Sequence, residues 1–167
     1  IIVNDDAGDS VAATVLSALG AKTDGVVTVS NAIVITGTQV QLTAALVTGA
    51  TLVVAGSALG TITDASSATL TALALSTIGG TTTGAITVSE AVTITGSTAQ
   101  LNTAMIGTSS VVAATAKLTG SGSDMTAAQL AALDDLTSGI ITATLATGAF
   151  SGFSALTDDN SNNVIAI

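Results

Sequence analysis

Apolar and polar positions change their period several times along this chain. Between Val26 and Thr36, the residues Val27, Val29, Ile33 and Ile35 alternate with Thr28, Ser30, Ala32 and Val34. That is the period of two that a strand requires. Asn31 falls on the apolar side of this run and breaks it. The pattern therefore predicts two short strands, 26–30 and 32–36, meeting at a bend. Upstream, Val11, Val15, Leu16 and Leu19 share one side of a helix over 11–19. Ser10 is placed to cap that helix and Gly20 to end it. Gly37 closes the second strand, Thr38 caps a helix over 39–47, and strands are predicted at 50–55 and around 61–63.

The pattern then repeats. Gly25 to Leu46, GVVTVSNAIVITGTQVQLTAAL, returns at an offset of 59 as Gly84 to Met105, GAITVSEAVTITGSTAQLNTAM. Half the positions are identical, and Glu90 takes the place of Asn31. Strands are predicted at 85–89, 91–95 and 110–115, the last running toward Leu118, and a helix at 98–106. A partial third copy holds a helix over 127–136 capped by Thr126 and a strand over 140–146, at an offset of 55 from the second copy. Leu16, Leu42, Leu75, Leu101 and Leu130 each sit in a helix that precedes a strand. A helix-plus-strand unit of roughly 29 residues thus recurs about five times. The expected fold is α/β: a repeat, solenoid-like stack of short helices and Val/Ile-rich strands in one domain, 1–167. Its copies run over 10–64, 65–123 and 124–147, with 148–167 as cap and terminal strand. Strand–helix–strand alternation favours parallel pairing, and the bends at Asn31 and Glu90 are expected to add antiparallel pairs.

Composition narrows the function. Apolar residues make up 48% of the chain and charged ones 8%, against about 25% charged in ordinary globular chains. Mean hydropathy is +0.77. Thr, Ser and Gly nevertheless interrupt every apolar run, so no transmembrane helix is expected. Tyr and Trp are missing, which argues against the aromatic girdles of an outer-membrane barrel. The positive side chains are Lys22 and Lys117, and the net charge is −9. Phosphate contacts need Lys and Arg, so nucleic acid is excluded as a partner and an anionic membrane surface is disfavoured. So little charge cannot keep apolar surface apart by repulsion, and the surface is expected to meet copies of itself. The first residue is Ile rather than an initiator Met, which suggests a processed product or part of something longer.

Candidate chemistry is sparse. Without His or Cys, triad chemistry has no residues to use. Carboxylate pairs exist at Asp134 and Asp135 and at Asp158 and Asp159, but glycosidase clefts stack sugars on aromatic residues, and the aromatics here are Phe150 and Phe153 alone. No enzyme activity and no cofactor are expected. Two oxygen-rich loops suit a calcium ion: NDDAGD, with Asp5, Asp6 and Asp9, and DDNSNN, with Asp158, Asp159, Asn160 and Asn162. The alternative for both is a solvated turn. Thr61-Ile-Thr63, Thr93-Ile-Thr95 and Thr142-Ala-Thr144 put hydroxyls on one strand face, a local pattern found in ice-binding solenoids. The apolar termini, with Ile1, Ile2 and Val3 at one end and Val164, Ile165 and Ile167 at the other, are candidates for contact between subunits by strand addition.

Units of the kind VTVSxAVTITGxxAQLNxA, rich in Thr, Ala, Val and Gly, resemble the tandem repeats of large secreted or surface proteins of bacteria, cyanobacteria especially. The resemblance covers most of residues 10–147. It implies an extracellular or cell-surface setting and a structural or adhesive role. The expected function is a self-assembling subunit of a filament, sheath or surface layer, a homopolymer. The alternatives are a calcium-dependent adhesin module and an ice-binding solenoid.

Overall fold

The structure, a computed structural model, describes residues 1–51, 53–107, 111–147 and 163–167. The chain opens with β1 (Ile2–Val3), β2 (Ser10–Ala12), α1 (Ala13–Gly20), β3 (Val27–Val29), β4 (Val34–Gly37) and α2 (Gln39–Leu46). It continues with β5 (Val53–Val54), β6 (Leu59–Ile62), β7 (Thr69–Thr71), α3 (Ala72–Gly79), β8 (Ile86–Val88), β9 (Thr93–Ser97) and α4 (Thr98–Met105). Then come β10 (Val111–Val112), β11 (Lys117–Ser121), α5 (Ala127–Asp134), β12 (Ile141–Thr144) and β13 (Val164–Ala166). The result is a mixed α/β fold with five helices and three sheets among the described residues.

The sheets run β1-β3-β5, β2-β4-β6-β8-β10 and β7-β9-β11-β12-β13, and each of their strand pairings is parallel. Facing residues are separated by a nearly constant length of chain. Ile2 faces Thr28 and Thr28 faces Val54, the same step each time. Thr71, Thr95 and Thr119 face one another at a slightly shorter, again equal, step.

The expected bend falls where Asn31 breaks the alternation: β3 ends at Val29 and β4 begins at Val34. Glu90 marks the same break between β8 and β9. The bend does not make a hairpin, and the expected antiparallel pairs do not form. The two arms turn into different sheets, β3 beside β1 and β4 beside β2. At the corner the Asn31 amide donates to the Asp5 carbonyl at 2.7 Å, and Glu90 accepts from the Ser66 hydroxyl at 2.9 Å. The polar side chains therefore tie one turn of chain to the previous one.

A second correction concerns the first helix. Ser10 does not cap it. Ser10, Val11 and Ala12 pair with Val34, Ile35 and Thr36, so strand geometry takes them and α1 starts at Ala13 without a side-chain cap. The other caps follow the local chemistry. Thr38 with Gln41, Ser97 with Gln100 and Thr126 with Gln129 each form a reciprocal capping box at the start of α2, α4 and α5. The strand expected over 110–115 is shorter and does not run on to Leu118, which lies in the separate β11.

The core draws on every helix. Each helix contributes a leucine that is 1% exposed or less, Leu16, Leu42, Leu75, Leu101 or Leu130, and α5 adds Leu133. Each larger sheet answers with an inward ladder: Ile35, Gly60, Ile86 and Val111 in one, and Leu70, Ile94, Leu118 and Ile141 in the other. Gly60 is small because its neighbours fill its place. A Cβ there would lie 2.6 Å from Ile86 Cδ1 and 3.2 Å from Leu42 Cδ2.

Close stacking also dictates glycine at two corners. A Cβ on Gly84 would lie 2.3 Å from the Ala58 carbonyl oxygen, and one on Gly139 would lie 2.1 Å from that of Ala116. Gly25 holds the same place in the first copy but meets nothing nearer than the Thr23 hydroxyl at 3.7 Å. Gly84→Ala and Gly139→Ala are therefore expected to destabilise the fold by about 1–3 kcal/mol or more, while Gly25→Ala leaves it nearly unchanged. Urea melts of the three variants check this, and equal losses at all three positions would contradict the stacking. Leu75→Ala, which opens a cavity in the same core, is expected to cost about 2–5 kcal/mol by the same measurement.

Candidate functional site

The chain ends are the most unusual surface. Ile1 and Ile2 are 54% and 73% exposed, and Val164 and Ile167 are 58% and 63% exposed. Both ends form strands, as their composition predicts. β1 closes the outer edge of the first sheet, and β13 closes the outer edge of the third. Each pairs with its own chain on one side, β1 with β3 and β13 with β12. Val3 and Ile165 are half-buried and pack against the core. Ile2 turns outward beside Thr28. The structure places the two ends in different sheets.

Part of the oxygen of the Asn4–Asp9 loop is engaged by neighbouring donors. The Asp9 carboxylate accepts from the Asp6 N–H at 3.2 Å, and Asn4 Oδ1 accepts from the Ser30 hydroxyl at 2.9 Å. Gly8 takes a positive φ of 90° and its N–H donates to the Ala32 carbonyl. Among the described residues no group of three or more acidic side chains gathers as a metal ion would require. Asp158, Asp159, Asn160 and Asn162 lie outside the described residues. The Asp134 and Asp135 pair does not converge. Asp134 is 6% exposed and accepts from the Asn163 amide at 2.6 Å, while Asp135 faces solvent.

The threonines form ladders, although the three expected rows do not make one array. Thr61 belongs to the second sheet, in register with Thr36 and Thr87. Thr95 and Thr142 belong to the third, in the ladder Thr71, Thr95, Thr119 and Thr142. The parallel row at Thr69 and Thr93 ends at Lys117. The Thr95 hydroxyl donates to the Leu70 carbonyl at 3.2 Å, so part of the ladder is engaged with backbone.

Two features escape a residue-by-residue reading. First, acidic side chains serve helix starts one turn of chain away. Asp64 accepts from the N–H of Gln39, the first residue of α2, at 2.6 Å, and Asp124 accepts from the hydroxyl of Thr98, the first residue of α4, at 2.8 Å. Asp64 thereby meets the positive end of the helix dipole and an otherwise unsatisfied backbone N–H together, whereas Asp124 binds a side-chain hydroxyl. The signal was present in the spacing, since Asp64 follows Gln39 by 25 residues, one turn of chain. Second, an open groove of about 480 Å³ lies between α4 and α5, lined by Asn102, Ile106, Ala128 and Gln129 among others. It carries no titratable group.

The chain matches no protein-family model, no curated protein and no solved structure in comparison with each of these sets.

Because no group of three acidic side chains gathers among the described residues and the Asn4 and Asp9 side-chain oxygens accept from Ser30 and Asp6, chelator is expected to leave the melting temperature unchanged. A fall of several degrees, restored by added calcium, would reinstate a calcium site. Asp64→Ala, which strips the start of α2, is expected to cost about 0.5–2 kcal/mol in a denaturant melt. An unchanged midpoint would show that the carboxylate contributes nothing there.

Proposed function

We propose that the three sheets are the sides of one solenoid-like stack of helix-plus-strand turns, and that the chain is a structural, self-assembling subunit of an extracellular filament, sheath or surface layer. The near-constant steps between facing strands support the stack. The observation that carries the assembly is an apolar strand, β1, lying with one edge unpaired among the described residues at the end of a parallel sheet. Such an edge is a template for another chain unless charge, proline or a bulge guards it. Here the strand is Ile2 and Val3, and the sequence contains no proline.

The side chains suit a passive role. The carboxylates of Asp9, Asp64 and Asp124 serve a loop turn and the starts of two helices. Among the same residues no helix is long and apolar enough to cross a membrane. The resemblance of the repeats to those of secreted bacterial surface proteins points the same way. A second reading, ice binding, draws on the four-threonine ladder of the third sheet, and a thermal-hysteresis assay separates it from a polymer.

The polymer reading is tested by sedimentation and negative-stain electron microscopy of the protein across a concentration series. Large particles with a constant width are expected. A monodisperse monomer at high concentration would overturn it.

A further inference from the structure

Strand order follows chain order in every sheet, from β1 to β5, from β2 to β10 and from β7 to β13. The first strand of the chain and the last are therefore open on opposite sides among the described residues. β1 is open on the side away from β3, and β13 on the side away from β12. The hydrogen bonds show which groups face outward. The carbonyls of Ile1 and Val3 accept from the N–H groups of Thr28 and Ser30, at 2.9 and 3.1 Å. Alternate residues of a parallel strand bond to opposite sides, which leaves the N–H and C=O of Ile2 on the open edge. At the other end, the Ala166 carbonyl accepts from the Leu145 N–H at 2.9 Å. By the same alternation Val164 and Ala166 bond toward β12, and the N–H and C=O of Ile165 lie on the outer edge.

Resting on the stacked, self-assembling reading above, we infer that β1 of a second copy of this chain adds in parallel to the outer edge of β13. The third sheet of one copy then runs on into the first sheet of the next. Burial sets the register. Val3 and Ile165 are half-buried and pack against the core, and each belongs to an inward row: Ile165 faces Ala143, and Val3 faces Val29. The two rows become one when Val3 of the second copy faces Ile165. A shift of two residues would set Val3 against Ile167, which is exposed.

The free backbone groups fit this register. The Ile2 N–H of the second copy meets the Asn163 carbonyl, and the Ile165 N–H meets the Ile2 carbonyl. Ile2 faces Val164, so two exposed apolar side chains cover each other and continue the outer row of Thr119, Thr142 and Val164. Residues 1–3 and 163–167 carry no charged side chain and no proline, so neither edge is guarded against pairing. The contact is head-to-tail. It leaves β1 of the first copy and β13 of the second open, so it repeats without closing and propagates as a fibre.

The chain has no cysteine, so a disulfide trap reads without background. Ile2→Cys and Val164→Cys proteins are mixed and oxidised. Both positions are exposed, so neither change opens the core. Facing residues on adjacent parallel strands lie about 4.8 Å apart, within disulfide reach. The mixed dimer, told from the two homodimers by intact mass, is expected in several-fold excess. A control mixture of Ile2→Cys and Val112→Cys, whose second partner is exposed on the last strand of the second sheet, is expected to give little. In parallel, Ile2→Pro removes the edge donor without touching a bond to β3, as an edge strand tolerates. It is expected to keep the melting temperature of the parent and lose the polymer. If the parent forms polymers while the mixed dimer is no commoner than the homodimers, or the control cross-links as well, the pairing is overturned and the assembly reading stands. A polymer that survives Ile2→Pro overturns the pairing too. If the parent stays monomeric and the trap is empty, both fall.

Discussion

The structure depends on one constraint: its core has almost no aromatic residues and is built in thin layers. A buried leucine from each helix joins a core of buried valine, isoleucine and leucine from most of the strands. Burying such a side chain contributes about 1.5–3 kcal/mol, so no single layer supports itself against the entropy of ordering its turn of chain. It becomes stable when the next layer covers it. On the stacked reading proposed above, parallel strands at near-constant steps provide that cover.

Other features fit the proposed stacking. Corners carry glycine where the preceding layer's carbonyl presses in, at Gly84 and Gly139, and the glycine has open space at Gly25, in the first copy. The corner side chains Asn31 and Glu90 reach back one turn of chain. Asp64 and Asp124 do the same for helix starts. These polar side chains thus tie together residues 24 to 26 apart in the chain. An end layer is left with its contacts half made, and this is why the proposed assembly is end to end.

Much of this was legible in the residues themselves. The alternation around Asn31 located the strand break, Thr38 and Thr126 located helix starts, and the five leucines marked the five helices. The errors share one physical origin. Val11, Val15 and Leu19 look helical in isolation, yet Ser10 to Ala12 are drawn into a ladder with Val34 to Thr36 on the next turn of chain, and local periodicity carries no record of that partner. The bend at Asn31 looked like a hairpin because sequence shows where a strand turns and not which sheet it joins. Among the site candidates, the strand-forming ends were readable from their composition, whereas the engaged oxygens of Asn4 and Asp9 depend on hydrogen bonds that appear in three dimensions.

The central claim is that layers stack along one axis and that the axis continues from subunit to subunit. X-ray diffraction from oriented filaments tests it most directly. The account predicts a reflection at about 4.8 Å along the fibre axis, the spacing of adjacent strands. A strand spacing directed across the fibre instead would contradict it.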